Sequence, residues 1–367
     1  MNAVHAEFLA QISESNDMAE WVQRDHGKGE IDRAGTLLIP WWKGLDKPER
    51  LGMLYMIVQN WRTSHALPLN VFQAGLRQRA KRIEERVIVA QRLKRFSSMM
   101  NKLVREPNMK LSQMQDLGGC RAIMSSVDAV DKLYELYRGH EPLSASEAAV
   151  KCYDYIRYPK SDGYRGIHIV GRYVARQENR EPWNGQRIEI QLRSRLQHAF
   201  ATTVETVTTF TRTPLKFGAG PAEWRRFFSL VGSAFALREG TPLVEGTPSN
   251  TGELISVLRE ATKTLKVRQR LRGWTNALQT LPRRNVKKFK WLLLVLDTTA
   301  NTIDVTGYEN RREASQKVAE IEQLKREDLD AVLVFVRSIR DLRAAYPNYY
   351  ADTGEFLSAL TVALGRK

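Results

Sequence analysis

The period of the apolar positions changes several times along the chain, and each change marks an element. Residues 187–193 alternate strictly: Ile188, Ile190 and Leu192 fall on one side, Arg187, Glu189, Gln191 and Arg193 on the other. Period two predicts a strand with one core face and one polar face. That pattern fits a solvent-facing edge strand as well as a strand that carries chemistry. Residues 119–125 read as a buried strand, and a helix from Ser126 follows, with Val127, Val130, Leu133, Tyr134 and Tyr137 spaced by three and four. A polar connection and a turn-rich loop, PKSDGYRG, lead to a further strand over IHIVGRYV. A helix of about Arg195 to Phe210 leaves the alternating strand directly.

Upstream, the first forty residues carry helical periodicity. Asp46 and Glu49 around Pro48 predict a capped start for a helix of about 48–65, whose Leu51, Leu54, Tyr55 and Val58 form a core stripe and which Pro68 ends. A longer basic helical stretch is expected from Asn70 towards Arg105. Downstream, a helix of about 222–238 runs into EGTPLVEGTPSNTG, whose Gly, Pro, Ser and Thr predict a domain joint or mobile connection. Then come a basic helix of about 253–278, strands at 289–297 and 301–306, a polar helix of about 310–325, a strand at 331–337 and an amphipathic tail. The whole predicts an α+β fold, a mixed β-sheet flanked by helices, with a small C-terminal ββαβ domain and helical anchors. The expected divisions are an N-terminal helical region (1–69), a catalytic domain (70–240), a linker and basic helix (241–288), the ββαβ domain (289–345) and a terminal segment (346–367).

Composition narrows the partners. Lys and Arg number 57 against 41 Asp and Glu, a formal +16, which makes a polyanion, nucleic acid or nucleotide, the first partner to consider. The greasiest runs, 291–296 and 331–336, are of strand length, and the N-terminus has no apolar signal segment, so a cytoplasmic protein with no membrane partner is expected. Two cysteines, Cys120 and Cys152, cannot build a disulfide framework or a cysteine zinc site.

The chemistry gathers in four segments: RLKRFSSMMNK, QDLGGCRAI, PKSDGYRGIH and RIEIQLRSRLQHAFA. They supply two carboxylates, several cations and an aromatic ring expected to be exposed, the parts of a metal-assisted phosphoryl transfer. In this order, over residues 90–205, they resemble the synthetase domain of the RelA/SpoT family, a nucleotidyltransferase-like fold. Those enzymes move the β,γ-diphosphate of ATP to a ribose 3′-hydroxyl. The resemblance implies that Arg92, Lys94, Lys102 and Arg121 bind ATP. It implies that Asp116 and Glu189 hold Mg2+, with Glu189 taking the proton of the attacking hydroxyl. Tyr164 would stack the acceptor base, and Lys160, Arg165 and His168 would hold acceptor phosphates. Gln191, Arg193 and His198 would position glutamate and nucleotide. The chain departs from the family at Tyr153, where long members usually have lysine, and at Asp162, where they usually have asparagine.

No histidine–aspartate pair with metal-ligand spacing accompanies His5, His26 or His65, so a chain with synthetase activity and no hydrolase is expected. The C-terminal segment resembles the toxic branch of the family, the CapRel-type fused toxin–antitoxin proteins with a pseudo-zinc-finger. Residues 241–367 contain neither Cys nor His, so no zinc is expected there. The resemblance implies that Tyr346 and Tyr349 plug the ATP-adenine site and that a phage major capsid protein releases them. It implies that the acceptor is the 3′-CCA end of tRNA. Arg77, Arg79, Lys81 and Arg82 are the first candidates to bind that RNA, the cations of 263–290 the second, and a monomer is expected. Two alternatives stay open: a small alarmone synthetase making (p)ppGpp from ATP and GDP or GTP, and a non-catalytic RNA-binding or phage-sensing module.

Overall fold

The structure, a computed structural model, describes residues 21–46, 48–138, 147–211, 222–272, 289, 291–297, 300, 302–324, 326, 329–335 and 353–365. Five strands make one sheet in the order β1-β2-β5-β4-β3: β1 (Ile88–Leu93), β2 (Gly118–Met124), β3 (Glu147–Asp154), β4 (Ile167–Tyr173) and β5 (Arg187–Ser194). β2 and β5 are parallel and the remaining pairs antiparallel, so the sheet is mixed, as expected. The alternating strand is therefore its centre. Ile188, Ile190 and Leu192 are fully buried, and they pack with helices α3 (Ala66–Ile83) and α5 (Val127–Arg138) in one core through Phe72, Leu76, Val130 and Leu133.

Two further cores flank the sheet. Helices α1 (Lys28–Trp42), α2 (Leu51–Ser64) and α4 (Phe96–Arg105) share Leu38, Val58, Phe96 and Met99. Helices α6 (Arg195–Thr211), α7 (Ala222–Glu239), α8 (Thr251–Thr264) and α10 (Gly354–Ala363) share Phe227, Phe235, Leu254, Leu258, Phe356 and Leu360. Thus the amphipathic tail helix closes a core begun some 150 residues earlier in the chain. Arg259 caps it by donating to the carbonyl of Leu364 at 3.1 Å, satisfying an orphan acceptor.

Several local expectations are corrected. The stretch 70–105 is not one helix: α3 ends at Ile83, β1 intervenes and α4 begins at Phe96. Val87, Ile88 and Val89 are β-branched, which disfavours helix, and from Ile88 on the edge of β2 supplies the hydrogen-bond partners. The polar connection before the PKSDGYRG loop contains β3, the edge strand beside β4. α2 starts at Leu51 on Arg50 without a side-chain cap, so the Asp46–Glu49 box does not form its start. Pro68 lies inside the first turn of α3, where a missing N–H costs nothing, and the break falls at His65. Segment 240–250 is tied down: the Val244 N–H donates to Ser233 Oγ at 2.8 Å, Arg226 donates to the Gly246 carbonyl at 2.7 Å, and Val244 is buried. The basic helix is interrupted at Lys266, which takes φ +49°.

The ββαβ unit is present as β6 (Trp291–Asp297), β7 (Thr302–Tyr308), α9 (Arg311–Gln323) and β8 (Leu329–Phe335), with sheet order β7-β6-β8. Leu293, Val318 and Ala331 form its small core. It meets the rest of the chain at β1, which β8 approaches, and at α2 and α4 through a carboxylate. Glu322 accepts from Arg62 at 3.0 Å, from Gln59 at 3.1 Å and from the N–H of Phe96 at 3.1 Å, with its side chain only 7% exposed. Phe96 is the first residue of α4, so this anion sits where a helix N-terminus offers unpaired donors. Tyr346 and Tyr349 lie outside the described residues. Among those described, no helix is long and apolar enough to cross a membrane.

Candidate active site

The register of the sheet gathers one polar face. Arg92 of β1 lies opposite Gly119, Gly119 opposite Glu189, Arg121 opposite Gln191, and Gln191 opposite His168. Paired residues project to the same side. Arg92, Arg121, Glu189, Gln191, Arg193 and His168 therefore share the face turned away from α3 and α5.

On that face five side chains close a ring. Arg193 donates through Nε to the Tyr164 hydroxyl at 3.2 Å and through a terminal nitrogen to Gln191 Oε1 at 2.7 Å. The Tyr164 hydroxyl meets His168 Nε2 at 2.5 Å, and His168 Nδ1 meets Glu189 Oε1 at 2.8 Å. Gln191 Nε2 donates to Glu189 Oε2 at 2.7 Å. A carboxylate can only accept, so the pattern closes with hydrogen on Nδ1 and the tyrosine hydroxyl donating to Nε2. Both paths start at Arg193 and end at Glu189. Burial, the largest single influence, pushes the Glu189 carboxyl up, but His168 and the Gln191 amide together turn the net direction down. Glu189 is thus an anchored anion, oriented through both oxygens. Burial pushes the Tyr164 hydroxyl up, which keeps it a donor.

Asp116 lies just before β2 and binds two cations, Lys94 Nζ at 2.6 Å and Lys102 Nζ at 3.2 Å. Lys94 follows β1 and its N–H donates to the Leu117 carbonyl at 2.7 Å, while Lys102 reaches over from α4. Burial opposes ionisation of Asp116, yet Lys94 and then Lys102 hold its carboxyl down at about 2. Burial pulls Lys94 below its usual range, with Asp116 opposing. Asp116 is close enough for its charge to work against ionisation of Glu189. Two ionised hard-oxygen ligands suit Mg2+, which keeps waters and substrate phosphate for its other positions. Their chemistry matches the metal the resemblance implied, but both Asp116 oxygens are taken by lysines, both Glu189 oxygens by His168 and Gln191, and no group of three or more such ligands occurs among the described residues.

Tyr164 is positioned by the loop before β4 and is half-buried rather than exposed. Its N–H donates to Asp162 Oδ1 at 3.0 Å, an acceptor role that aspartate fills as well as asparagine. Gly163 takes φ +88° and its Cα packs on Gly232 of α7: a Cβ on Gly232 would stand 2.6 Å from the Gly163 Cα. Ser229 adds a hydrogen bond to the Ser161 carbonyl at 2.5 Å. Gly232→Ala gains about 1 kcal/mol of helix propensity, but its methyl meets backbone that cannot swing away, and overpacking costs about 1–3 kcal/mol. The expected result is a modest fall in stability by denaturant unfolding with a raised KM for the acceptor and little change in KM for ATP.

Not every expected residue joins this face. Arg165 does not turn to acceptor phosphates. It is 2% exposed and donates to Glu239 at 2.7 Å and to Thr241 at 2.9 Å. Glu239 also accepts from Ser194 and from Gln197, so it knits the end of β5, the start of α6 and the PKSDGYRG loop to α7. Nothing in the local pattern marked Glu239, because its partners are 42 to 74 residues away. His198 is buried at the start of α6. Lys160 lies beside the Tyr164 ring, its Nζ 5.4 Å from the centroid. Arg77, Arg79, Lys81 and Arg82 belong to α3, whose Phe72, Leu76 and Ala80 pack on the opposite, apolar face of the sheet. Arg79 there lies 4.9 Å over the Tyr137 ring. The structure does not bring that patch to the site.

Residues 91–211 match the family profile described as the region found in RelA / SpoT proteins. The GTP pyrophosphokinase YwaC of Bacillus subtilis (strain 168) is 32% identical over 109 residues, 28% of this chain and 49% of that protein. The chain thus spans about half the length of the curated relative it matches. Among solved structures, small alarmone synthetase 1 of Bacillus subtilis bound to its product pppGpp is similar at 20% identity and TM-score 0.41, covering 49% of this chain and 91% of that one. Small alarmone synthetase 2 of Bacillus subtilis is similar at 20% identity and TM-score 0.42, covering 50% and 94%.

Proposed function

We propose, from the premise that residues 91–211 form a synthetase domain of the RelA/SpoT type, that this protein is an ATP-dependent pyrophosphokinase. The observation that carries the reading is Glu189, the shared acceptor of a closed hydrogen-bond ring, in one row with Arg92 and near Asp116. The incoming 3′-hydroxyl, with its base against Tyr164, gives its proton to Glu189 as its oxygen bonds to the β-phosphorus of ATP, while the bond from that phosphorus to the oxygen bridging it to the α-phosphorus breaks and AMP leaves. Arg92, Arg121, Lys94 and Lys102 supply preplaced positive charge for the transferred diphosphate. Asp116 and Glu189 are the residues that would hold Mg2+, which when bound would supply positive charge for the phosphates.

In the finer reading the acceptor is the 3′-CCA end of tRNA, and the enzyme is a toxin that blocks translation in anti-phage abortive infection. The strongly basic balance supports a polynucleotide over a free nucleotide, since phosphate contacts supply sequence-independent affinity. The C-terminal unit acts as antitoxin and sensor, with Tyr346 and Tyr349 as the plug and a phage major capsid protein as the releasing partner. Glu322, seated on α4 beside the strand that leads to Lys94, supports communication between the two parts. Holding activity below about 1% requires the closed state to win by roughly 3 kcal/mol, which the partner must match in differential binding.

The test is incubation of purified protein with γ-labelled ATP plus tRNA, or plus GDP or GTP. Label in tRNA is expected. Label in the guanine nucleotides alone would make it an alarmone synthetase, as the YwaC likeness favours, and label in neither, with the plug removed, would refute the enzyme. Removal is best done by Tyr346→Ala and Tyr349→Ala. Truncation before residue 346 would delete α10, whose Phe356 and Leu360 fill a core.

A further inference from the structure

The polar face continues past His168 to the edge strand β3, and there its character changes. Tyr153 lies opposite His168 in the β3–β4 register, and Lys151, Tyr153 and Tyr155 alternate, so they project from that same face. The rings of Tyr153 and Tyr155 are parallel to within 6° at a centroid distance of 5.9 Å. Tyr155 in turn stands edge-on to Tyr164 at 6.0 Å and to His168 at 5.3 Å. A lysine lies at each end: Lys151 Nζ is 5.0 Å from the Tyr153 centroid, and Lys160 Nζ is 4.3 Å from that of Tyr155. Both lysines are exposed, and Tyr153 and Tyr155 are half-buried on the face opposite the core that β4 and β5 share with α3 and α5.

A single nucleotide occupies one aromatic ring. Here a row of touching rings runs from the acceptor tyrosine to the rim of the sheet, flanked by ammonium groups. That is the composition of a site for consecutive bases and the phosphate between them, since stacking accepts any base and a cation tracks the backbone. We infer that Lys151, Tyr153, Tyr155 and Lys160 form a second stacking subsite, which takes the nucleotide preceding the acceptor in a single-stranded polynucleotide 3′ end. The inference rests on the reading of Tyr164 as the acceptor ring and deepens it. The terminal nucleotide lies on Tyr164 with its 3′-hydroxyl towards Glu189, the penultimate base lies on the Tyr153–Tyr155 pair, and Lys160, between the rings, meets the linking phosphate.

The experiment measures binding and transfer separately, on the full chain carrying Tyr346→Ala and Tyr349→Ala. Binding of a 5′-fluorescein RNA trinucleotide, CCA, is followed by anisotropy, and that of GDP by calorimetry. Tyr153→Ala is expected to weaken trinucleotide binding by about 5- to 150-fold, the loss of one stacked base, and to change GDP binding less than twofold. Tyr153→Phe should restore the trinucleotide, and Lys160→Ala should flatten its salt dependence by about 0.7 in log–log slope, the loss of the linking-phosphate contact to a single strand. Equal weakening of both ligands by Tyr153→Ala, or an unchanged trinucleotide affinity, would overturn the subsite even if label transfer to a nucleotide is intact. A trinucleotide that binds in a Tyr153-dependent way without accepting label would uphold the subsite and refute the transfer chemistry.

Discussion

Glu189→Gln is expected to lower kcat for diphosphate transfer by about 10²- to 10⁴-fold, the usual contribution of a positioned general base, while unfolding stability changes little. The substitution preserves shape, removes the charge that His168 and Gln191 both serve, and presents an amide where an acceptor stood. Glu189→Asp keeps the charge but withdraws it from its two donors, and an intermediate rate is expected. Because the Glu189 carboxyl is held below its ordinary range, the acid limb of the wild-type kcat profile should fall below the ordinary carboxylate range. A kcat within threefold of wild type in Glu189→Gln would remove Glu189 from the proton transfer.

The largest effect on stability is expected at Glu239. Glu239→Leu leaves Arg165 nearly without solvent and without its anion, and breaking a buried pair costs about 3–5 kcal/mol. Burial already pulls the Arg165 guanidinium down and Glu239 opposes that pull. The double variant Arg165→Met with Glu239→Leu should recover most of the loss, since an apolar pair of similar volume removes the desolvation cost along with the attraction. Denaturant unfolding of the two single variants and the double separates these terms. If Arg165 instead served acceptor phosphates, its substitution would raise the acceptor KM with stability unchanged.

The elements were legible wherever local period and burial agreed. The alternation at 187–193 specified a two-faced strand, and the three-four spacing after Ser126 specified α5, which Ser126 does open by accepting the Ala129 N–H at 3.1 Å. β1 was hidden because its short β-branched run lies between two basic helices and follows no turn signal. β3 was hidden by its polar residues, although Lys151, Tyr153 and Tyr155 alternate with Cys152 and Asp154. Arg165 shows a different limit. A basic residue next to Tyr164, in a loop that also carries Lys160, has the composition of a phosphate ligand, and its partner is supplied by a helix 74 residues away. The placement of Arg77, Arg79, Lys81 and Arg82 was hidden for the same reason, since their helix covers the far side of the sheet from Glu189.

By itself the sequence determined which side chains share the polar side of the alternating strand: Arg187, Glu189, Gln191 and Arg193. That grouping follows from chain geometry, two residues per strand repeat, and needs no knowledge of distant partners. Only the tertiary structure decided that β5 lies between β2 and β4, which sets Glu189 level with Arg92 and brings His168 against it, and that Asp116 is shared by two lysines. Strand order and helix docking are settled by burying apolar faces over the whole chain, a global balance that no local window contains.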